Sequence, residues 1–198
     1  MKLIKKIVSV ILLIYSVSNA QITDPGNAQG IFLTVGVGPR FPIGEFGNQQ
    51  SIGAGFDAMI SFTDNELAPL FFYLNIGYQN HPGDYDYYKV TDLSSISANI
   101  ISFEAGGRFF FSPIIEDMII LMPIIEGGIT YAYVEKYHQY KIDSGRNDKL
   151  MGSSQLGFHA GVGLSFFLMD VMASYNYLQS NQYISVNLRL TIPLAITI

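Results

Sequence analysis

The sequence predicts an all-β chain, an eight-stranded antiparallel up-and-down transmembrane β-barrel, and three observations carry this prediction. Apolar residues recur at every second position over many segments, which is the period of a β-strand. Only 14% of the residues are charged, whereas a soluble domain carries about 25%. The charges inside the periodic segments fall on the face opposite the apolar residues. This combination favours strands with one face toward lipid.

Residues 1–20 are expected to be a cleaved signal peptide, and residues 21–198 the barrel domain. Three lysines near the start precede an apolar run over residues 7–17 and then Ser-Asn-Ala at 18–20. The apolar run is shorter than the about 20 residues that a membrane-spanning helix needs, which disfavours the alternative of a helical anchor. The chain has no cysteine, which excludes a lipid-modified N-terminal cysteine and disulfides.

The predicted strands follow from eight apolar sets. In chain order these sets read Ile-Leu-Val-Val from residue 31, Ile-Ala-Phe-Ala-Ile-Phe from 52, Leu-Phe-Leu-Ile-Tyr from 70 and Ile-Phe-Ala-Gly-Phe-Phe from 101. They continue with an interrupted Ile-Leu-Ile-Ile-Tyr-Tyr set from 119, Leu-Phe-Ala-Val-Leu-Phe from 156, Val-Ala-Tyr-Tyr from 171 and Ile-Val-Leu-Leu-Ile from 184. The predicted strands therefore cover residues 31–37, 51–62, 70–78, 101–111, 119–133, 156–166, 171–177 and 184–192.

The connections alternate in length, as they do in bacterial barrels with short periplasmic turns and longer outer loops. Residues 39–50, 80–95 and 135–152 are predicted outer loops, and residues 63–68, 112–118 and 168–170 are predicted inner turns. Both termini then lie on the periplasmic side. Two other architectures remain open, a lipocalin-like barrel with an apolar lumen and a periplasmic β-sandwich.

The interior face is the place where chemistry is expected. An arginine facing hydrocarbon at mid-bilayer costs about 2–4 kcal/mol, so the charged strand residues should point inward. If Phe111 pairs near Ile119, Glu104 faces Glu126 directly, and two such carboxylates repel one another or share a proton. The sequence therefore predicts a lumen network of ion pairs formed by Glu104, Arg108, Glu126 and Arg189, with His159 and Asp57 as further candidate members. The network is either a static plug or a gate that opens a narrow pore.

The remaining motifs give no sign of catalysis. The three histidines lack the setting of a hydrolase triad, and the acidic residues at 84, 86 and 92 lack the spacing of a calcium-binding loop. No enzyme activity, metal or cofactor is therefore expected. Without the three signal lysines, eight cationic residues face 16 acidic residues and leave a formal charge of −8, which removes the electrostatic basis for nucleic-acid binding.

The segment Gly36-Val-Gly-Pro-Arg-Phe-Pro-Ile-Gly-Glu-Phe46, together with the eightfold alternation, resembles the small outer membrane protein β-barrel domain family of Bacteroidetes-like bacteria. The pattern is more distantly similar to the transmembrane barrel of outer membrane protein A. One departure is that this chain ends Leu-Ala-Ile-Thr-Ile and not in an aromatic residue. The resemblance implies export to the cell outer membrane of a Gram-negative bacterium, but no particular activity.

Three functions follow as hypotheses. The first is a monomeric, non-enzymatic barrel with a structural or surface-interaction role, in contact with outer-membrane lipid and lipopolysaccharide, that binds a surface ligand through its outer loops. The second is a narrow, passive, porin-like pore. The third is a lipid-modifying enzyme.

Overall fold

A computed structural model describes residues 29–114 and 121–197, which form eight antiparallel strands. The predicted signal peptide lies outside these residues. The strands are β1 (Gln29–Pro42), β2 (Gly53–Asp64), β3 (Leu70–Pro82), β4 (Leu93–Phe110), β5 (Leu121–Tyr140), β6 (Lys149–Phe166), β7 (Met169–Leu178) and β8 (Tyr183–Thr197). Each strand pairs with the next, and β1 pairs with β8, so the sheet closes on itself. The prediction of an all-β, eight-stranded, up-and-down antiparallel barrel is confirmed.

Side chains alternate between an apolar outside and a polar inside. In β2, Phe56 and Ile60 are 56% and 54% exposed, whereas Asp57 in the same strand is only 5% exposed. A water-soluble barrel has the reverse arrangement, because its apolar side chains leave water by turning inward. The lipocalin-like alternative is therefore wrong. The β-sandwich is also wrong, because a single closed sheet encloses the interior.

The connections lie at two ends of the barrel. At the end that we call outer, residues 43–52 contain helix α1 (Gly44–Gly47), residues 83–92 contain helix α2 (Tyr85–Lys89), and residues 141–148 contain a 3-10 helix, Ile142–Ser144. The predicted outer loops were too long, because β1, β3 and β5 keep their pairing to Pro42, Pro82 and Tyr140. Among the described residues, no helix has both the length and the apolar character needed to cross a membrane.

The pairing of β4 with β5 differs from the prediction. Phe110 pairs with Ile124, and Arg108 pairs with Glu126, so the partner of each β4 residue lies four positions farther along β5 than predicted. The physical reason is the centre of the hairpin: the numbers of paired residues sum to 234 and not to about 230, so the pairing is centred two residues farther along the chain than predicted. Because four is an even number, every side chain keeps its predicted face.

Candidate functional site

The candidate site is a layer of charged side chains inside the barrel. Its members are Arg40, Asp57, Glu104, Arg108, Glu126, Asp170 and Arg189, and all of them except Glu104 are at most 6% exposed. Alternation along each strand is what directs these side chains inward, away from the apolar outer face. A buried charge is costly unless it is paired and hydrogen-bonded, so the partners of each residue decide what this layer can do.

Glu126 lies at the centre of the layer. Its Oε2 atom accepts hydrogen bonds from Arg108 Nε at 3.2 Å, Arg108 Nη2 at 2.9 Å and Arg189 Nη1 at 2.8 Å. Its Oε1 atom accepts a hydrogen bond from the Ser174 hydroxyl at 3.2 Å. One carboxylate thus partly neutralises two guanidinium groups. Its hydrogen bonds connect β5 with Arg108 on β4, Ser174 on β7 and Arg189 on β8.

Ion pairs continue from both arginines. Arg108 Nη1 lies 3.1 Å from Asp170 Oδ2, and Arg189 Nε lies 3.6 Å from Asp57 Oδ2. Asp57 Oδ1 in turn lies 3.3 Å from Arg40 Nη2. The resulting chain alternates in sign and links six strands in the order Asp170, Arg108, Glu126, Arg189, Asp57 and Arg40.

The structure does not place Glu104 and His159 in this chain of ion pairs. Glu104 stands opposite Thr130 and not opposite Glu126, so the predicted face-to-face glutamates are wrong for the register reason given above. Among the described residues no salt bridge to Glu104 is formed, and its carboxylate accepts a hydrogen bond from Asn75 Nδ2 at 2.9 Å. His159 hydrogen-bonds through its two ring nitrogens to Tyr73 and Thr130.

Two members of the network were missed by sequence reasoning. Arg40 falls in a predicted outer loop and Asp170 in a predicted turn, yet β1 extends to Pro42 and β7 begins at Met169, so both residues lie on paired strands. The alternation of inward and outward positions could have found them. Arg40 continues the inward-facing set of β1, and Asp170 continues the inward-facing set of β7.

An apolar cap closes the lumen on the outer side of the charged layer. Helix α1 turns Phe46 into the barrel, where it is 1% exposed. It belongs to a buried cluster with Ala98, Ile100, Ala132, Val134, Leu178 and Tyr183. The ammonium group of Lys136 lies 5.5 Å from the centre of the Phe46 ring, at the mouth of the barrel. Phe46, which belongs to the first outer loop, therefore fills the outer part of the lumen.

Little space remains inside the charged layer. The cavity bordered by Glu104, Asn75, Asp57 and their neighbours has a volume of about 20 Å³, which is close to the minimum that one water molecule requires. Toward the inner end the lumen widens into an apolar cavity of about 480 Å³, lined in part by Phe32, Phe71 and Phe110. The narrow, charged layer is thus the constriction of the lumen.

The strands are of unequal length, which raises one side of the outer rim. β5 has 20 residues and β7 has 10. We call residues 93–96, 134–140 and 149–156 the projecting sheet. Within the described part of the chain, β7 pairs with β6 from Gly157 onward, so the projecting part of β6 is bonded to β5 on one side and has a free edge on the other.

One titratable group of the projecting sheet is perturbed by its surroundings. Burial lowers the pKa of His138 below its usual value, and the positive charges of Lys136 and Lys149 lower it further. These charges come from the facing strand as well as from its own, since His138 pairs with Lys149. The neutral imidazole is therefore favoured there.

The sequence matches no protein-family model and no curated protein. Among solved structures, Neisserial surface protein A is similar at 12% identity with a TM-score of 0.47, covering 83% of this chain and 97% of that one. The attachment invasion locus protein of Yersinia pestis, bound to the heparin analogue sucrose octasulfate, is 14% identical with a TM-score of 0.46, covering 84% and 99%. The N-terminal β-barrel domain of Pseudomonas aeruginosa OprF is 14% identical with a TM-score of 0.45, covering 83% and 99%.

Proposed function

We propose that this chain is a non-enzymatic barrel of the bacterial outer membrane with a surface-interaction role and a lumen plugged by its charged layer. The proposal includes export through a cleaved signal peptide over residues 1–20 and a monomer surrounded by outer-membrane lipid and lipopolysaccharide.

The main support for this proposal is the apolar outer surface of the barrel. Every strand contributes exposed, large apolar side chains, among them Val35, Phe56, Leu74, Phe103, Ile129, Leu156, Val171 and Leu188. Soluble monomers rarely expose apolar patches above a few hundred Å².

Orientation follows from the two ends of the barrel. The described ends of the chain, Gln29 and Thr197, are paired with each other at the inner end, which we assign to the periplasm. Exposed tyrosines lie in the outer halves of their strands, including Tyr78, Tyr131 and Tyr133. Amphipathic aromatic rings of this kind suit the level of lipid headgroups.

Insertion in lipid can be tested directly because the chain has no tryptophan. A single tryptophan introduced by Leu74→Trp, at an outward position that is 68% exposed, should be quenched by lipids with brominated acyl chains. The matched variant Tyr85→Trp, on helix α2 in an outer connection and away from the apolar outer surface of the strands, should be quenched much less. Equal quenching of the two variants would count against a transmembrane barrel.

The plug accounts for the interior better than a pore does. The charged layer leaves room for about one water molecule, and Phe46 closes the outer mouth. In a planar bilayer the protein should therefore produce no conductance steps. Steps in the unmodified protein that change in Glu126→Ala would refute the plug and support the alternative of a gated pore.

The projecting sheet is the feature that supports a surface-interaction role. The edge of β6 over residues 149–156 presents backbone N–H and C=O groups that an extended segment of another protein could pair with. Leu150 and Met151 on this edge strand are exposed and offer side-chain contacts. The proposed partner is therefore an extended peptide that adds a strand to this edge.

Proline substitution gives the test of this edge. Candidate peptides presented on an array should bind the purified barrel. Successive residues of a strand direct their N–H groups to opposite neighbours, so Ser153→Pro and Ser154→Pro are made separately. The variant that loses the N–H group on the free edge should abolish binding, because proline cannot donate a backbone hydrogen bond. Ser144→Pro in the tip of the hairpin is the control, since that residue lies outside the edge strand. Binding that survives both single proline variants would refute an edge-pairing mode.

A further inference from the structure

The projecting sheet carries three basic side chains on its lumen-facing side. Alternation along β5 places Lys136 and His138 on the same face as Val134, which is 1% exposed. Lys149 on β6 pairs with His138, so its side chain lies on this face as well. The Lys136 ammonium group lies over the Phe46 ring, as expected for a side chain directed toward the lumen. The lumen-facing side of the projecting sheet is therefore basic.

No carboxylate balances these basic groups within the sheet. Glu135 is the only acidic residue among residues 93–96, 134–140 and 149–156, and alternation places it on the opposite face. Asp148, at the tip of the hairpin, accepts a hydrogen bond from the hydroxyl of Tyr137, whose side chain also belongs to that opposite face. Neither lysine of the basic face forms a salt bridge with a described residue. The basic face can therefore accept carboxylates from outside the chain.

A strand added to the free edge of β6 would extend both faces of the projecting sheet. Its side chains on the lumen side would have Lys149 as a neighbour on β6, and Lys136 on β5 would lie two strand spacings away, about 10 Å. Its side chains on the other side would lie beside Leu150 and Leu156, which are exposed. The two faces of the sheet thus require different side chains from a partner, acidic on one side and apolar on the other.

We propose, building on the strand addition proposed above, that the β6 edge selects an extended peptide in which acidic and apolar residues alternate. The carboxylates of the peptide face the lumen side, where they pair with Lys136 and Lys149, and its apolar side chains pack on the outer face. A basic peptide is disfavoured, because like charges on neighbouring strands repel one another. Backbone pairing supplies binding, and the two faces supply the choice of partner.

The experiment compares two fluorescently labelled peptides of the same length as the edge, one alternating Glu with Val and the other alternating Lys with Val. Each is titrated with the folded full-length barrel in zwitterionic micelles, and binding is followed by fluorescence polarisation. The acidic peptide should bind more tightly than the basic peptide. Its affinity should fall as the salt concentration rises, because salt screens charges at a solvent-exposed site.

Charge removal tests the two lysines. Lys136→Gln combined with Lys149→Gln should weaken binding of the acidic peptide by about tenfold, since an exposed ion pair contributes a factor of about five at most. Lys89→Gln combined with Arg146→Gln is the control with the same change in net charge. Both control residues are exposed, and their salt-bridge partners lie in the connection over residues 83–92, away from the β6 edge. The control variant should keep the affinity of the unmodified protein.

The His138 imidazole reports where the peptide binds. Burial and the charges of Lys136 and Lys149 lower its pKa in the free protein. A carboxylate that arrives on the same face favours the protonated imidazole, so saturation with the acidic peptide should raise the pKa of His138 in an NMR titration. A peptide bound at another surface would leave this pKa unchanged.

The possible failures are distinguishable. If the two peptides bind with equal affinity, or if other peptides bind through the edge and the acidic peptide does not, selection by charge is refuted and strand addition stands. If no peptide binds at all, strand addition is refuted together with the selection. Binding of the acidic peptide that is unchanged in the Lys136 and Lys149 double variant, with an unchanged pKa for His138, would refute the basic face as the binding surface.

Discussion

Neutralising Glu126 should destabilise the barrel more than any surface charge change. The Glu126→Gln variant keeps the shape of the side chain but removes the charge that three arginine hydrogen bonds share. Removing one partner of a buried ion pair costs about 3–5 kcal/mol. Arg108 keeps Asp170 and Arg189 keeps Asp57, so we expect the lower end of that range.

The assay is urea unfolding in micelles, followed by circular dichroism. With a urea dependence of about 1–3 kcal/mol per molar, a loss of about 3 kcal/mol corresponds to a midpoint lower by about 1–3 M. Asp92→Asn is the control: its partner Arg146 is 3.7 Å away and both side chains are well exposed, so the change should cost at most about 1 kcal/mol. If the two variants unfold at the same urea concentration, the interior ion pairs contribute little and the reasoning is wrong.

Three further predictions concern the apolar cap, the pairing of β1 with β8 and the projecting sheet. Phe46→Ala should lower the free energy of unfolding in urea by about 3–5 kcal/mol, because it empties the apolar cap. An unchanged urea midpoint would contradict the packing of Phe46 in that cap. Gly38→Ala should prevent folding, since its methyl group would overlap the carbonyl oxygen of Val186 where β1 pairs with β8. Gly127→Ala should fold, because its methyl group would lie at an ordinary contact distance from the nearest atom. NMR titration should give His138 a pKa below 6.5. As the pH falls below 6.5, the projecting sheet should lose protection from proteolysis, because the imidazole binds a proton more readily in the unfolded state than in the folded state. A normal pKa for His138 would refute this prediction.

The sequence predicted the faces of the strands better than their partners. Alternation is a local property with a period of two, so it survives any error in pairing by an even number of residues. The register of β4 and β5 instead depends on where the hairpin between them is centred, which periodicity does not report. Glu104 was therefore placed on the correct face but opposite the wrong residue.

The ends of the strands were the least predictable part of the site. Prolines at positions 39 and 42 indicate a loop by their chemistry, because proline cannot donate to a ladder of hydrogen bonds. The pairing of β1 with both neighbours nevertheless continues past Pro39, and this brings Arg40 into the interior. The cap was also out of reach, because no local pattern shows that a loop phenylalanine folds back into the barrel.

The uneven rim gives the molecule a front and a back. The free edge of β6 over residues 149–156 has eight residues, and at about 3.3 Å per residue it extends roughly 26 Å along the strand. In the membrane-spanning orientation proposed above, a partner held on the raised edge would face one direction in the membrane plane, so that its binding would also fix the rotation of the barrel about its own axis.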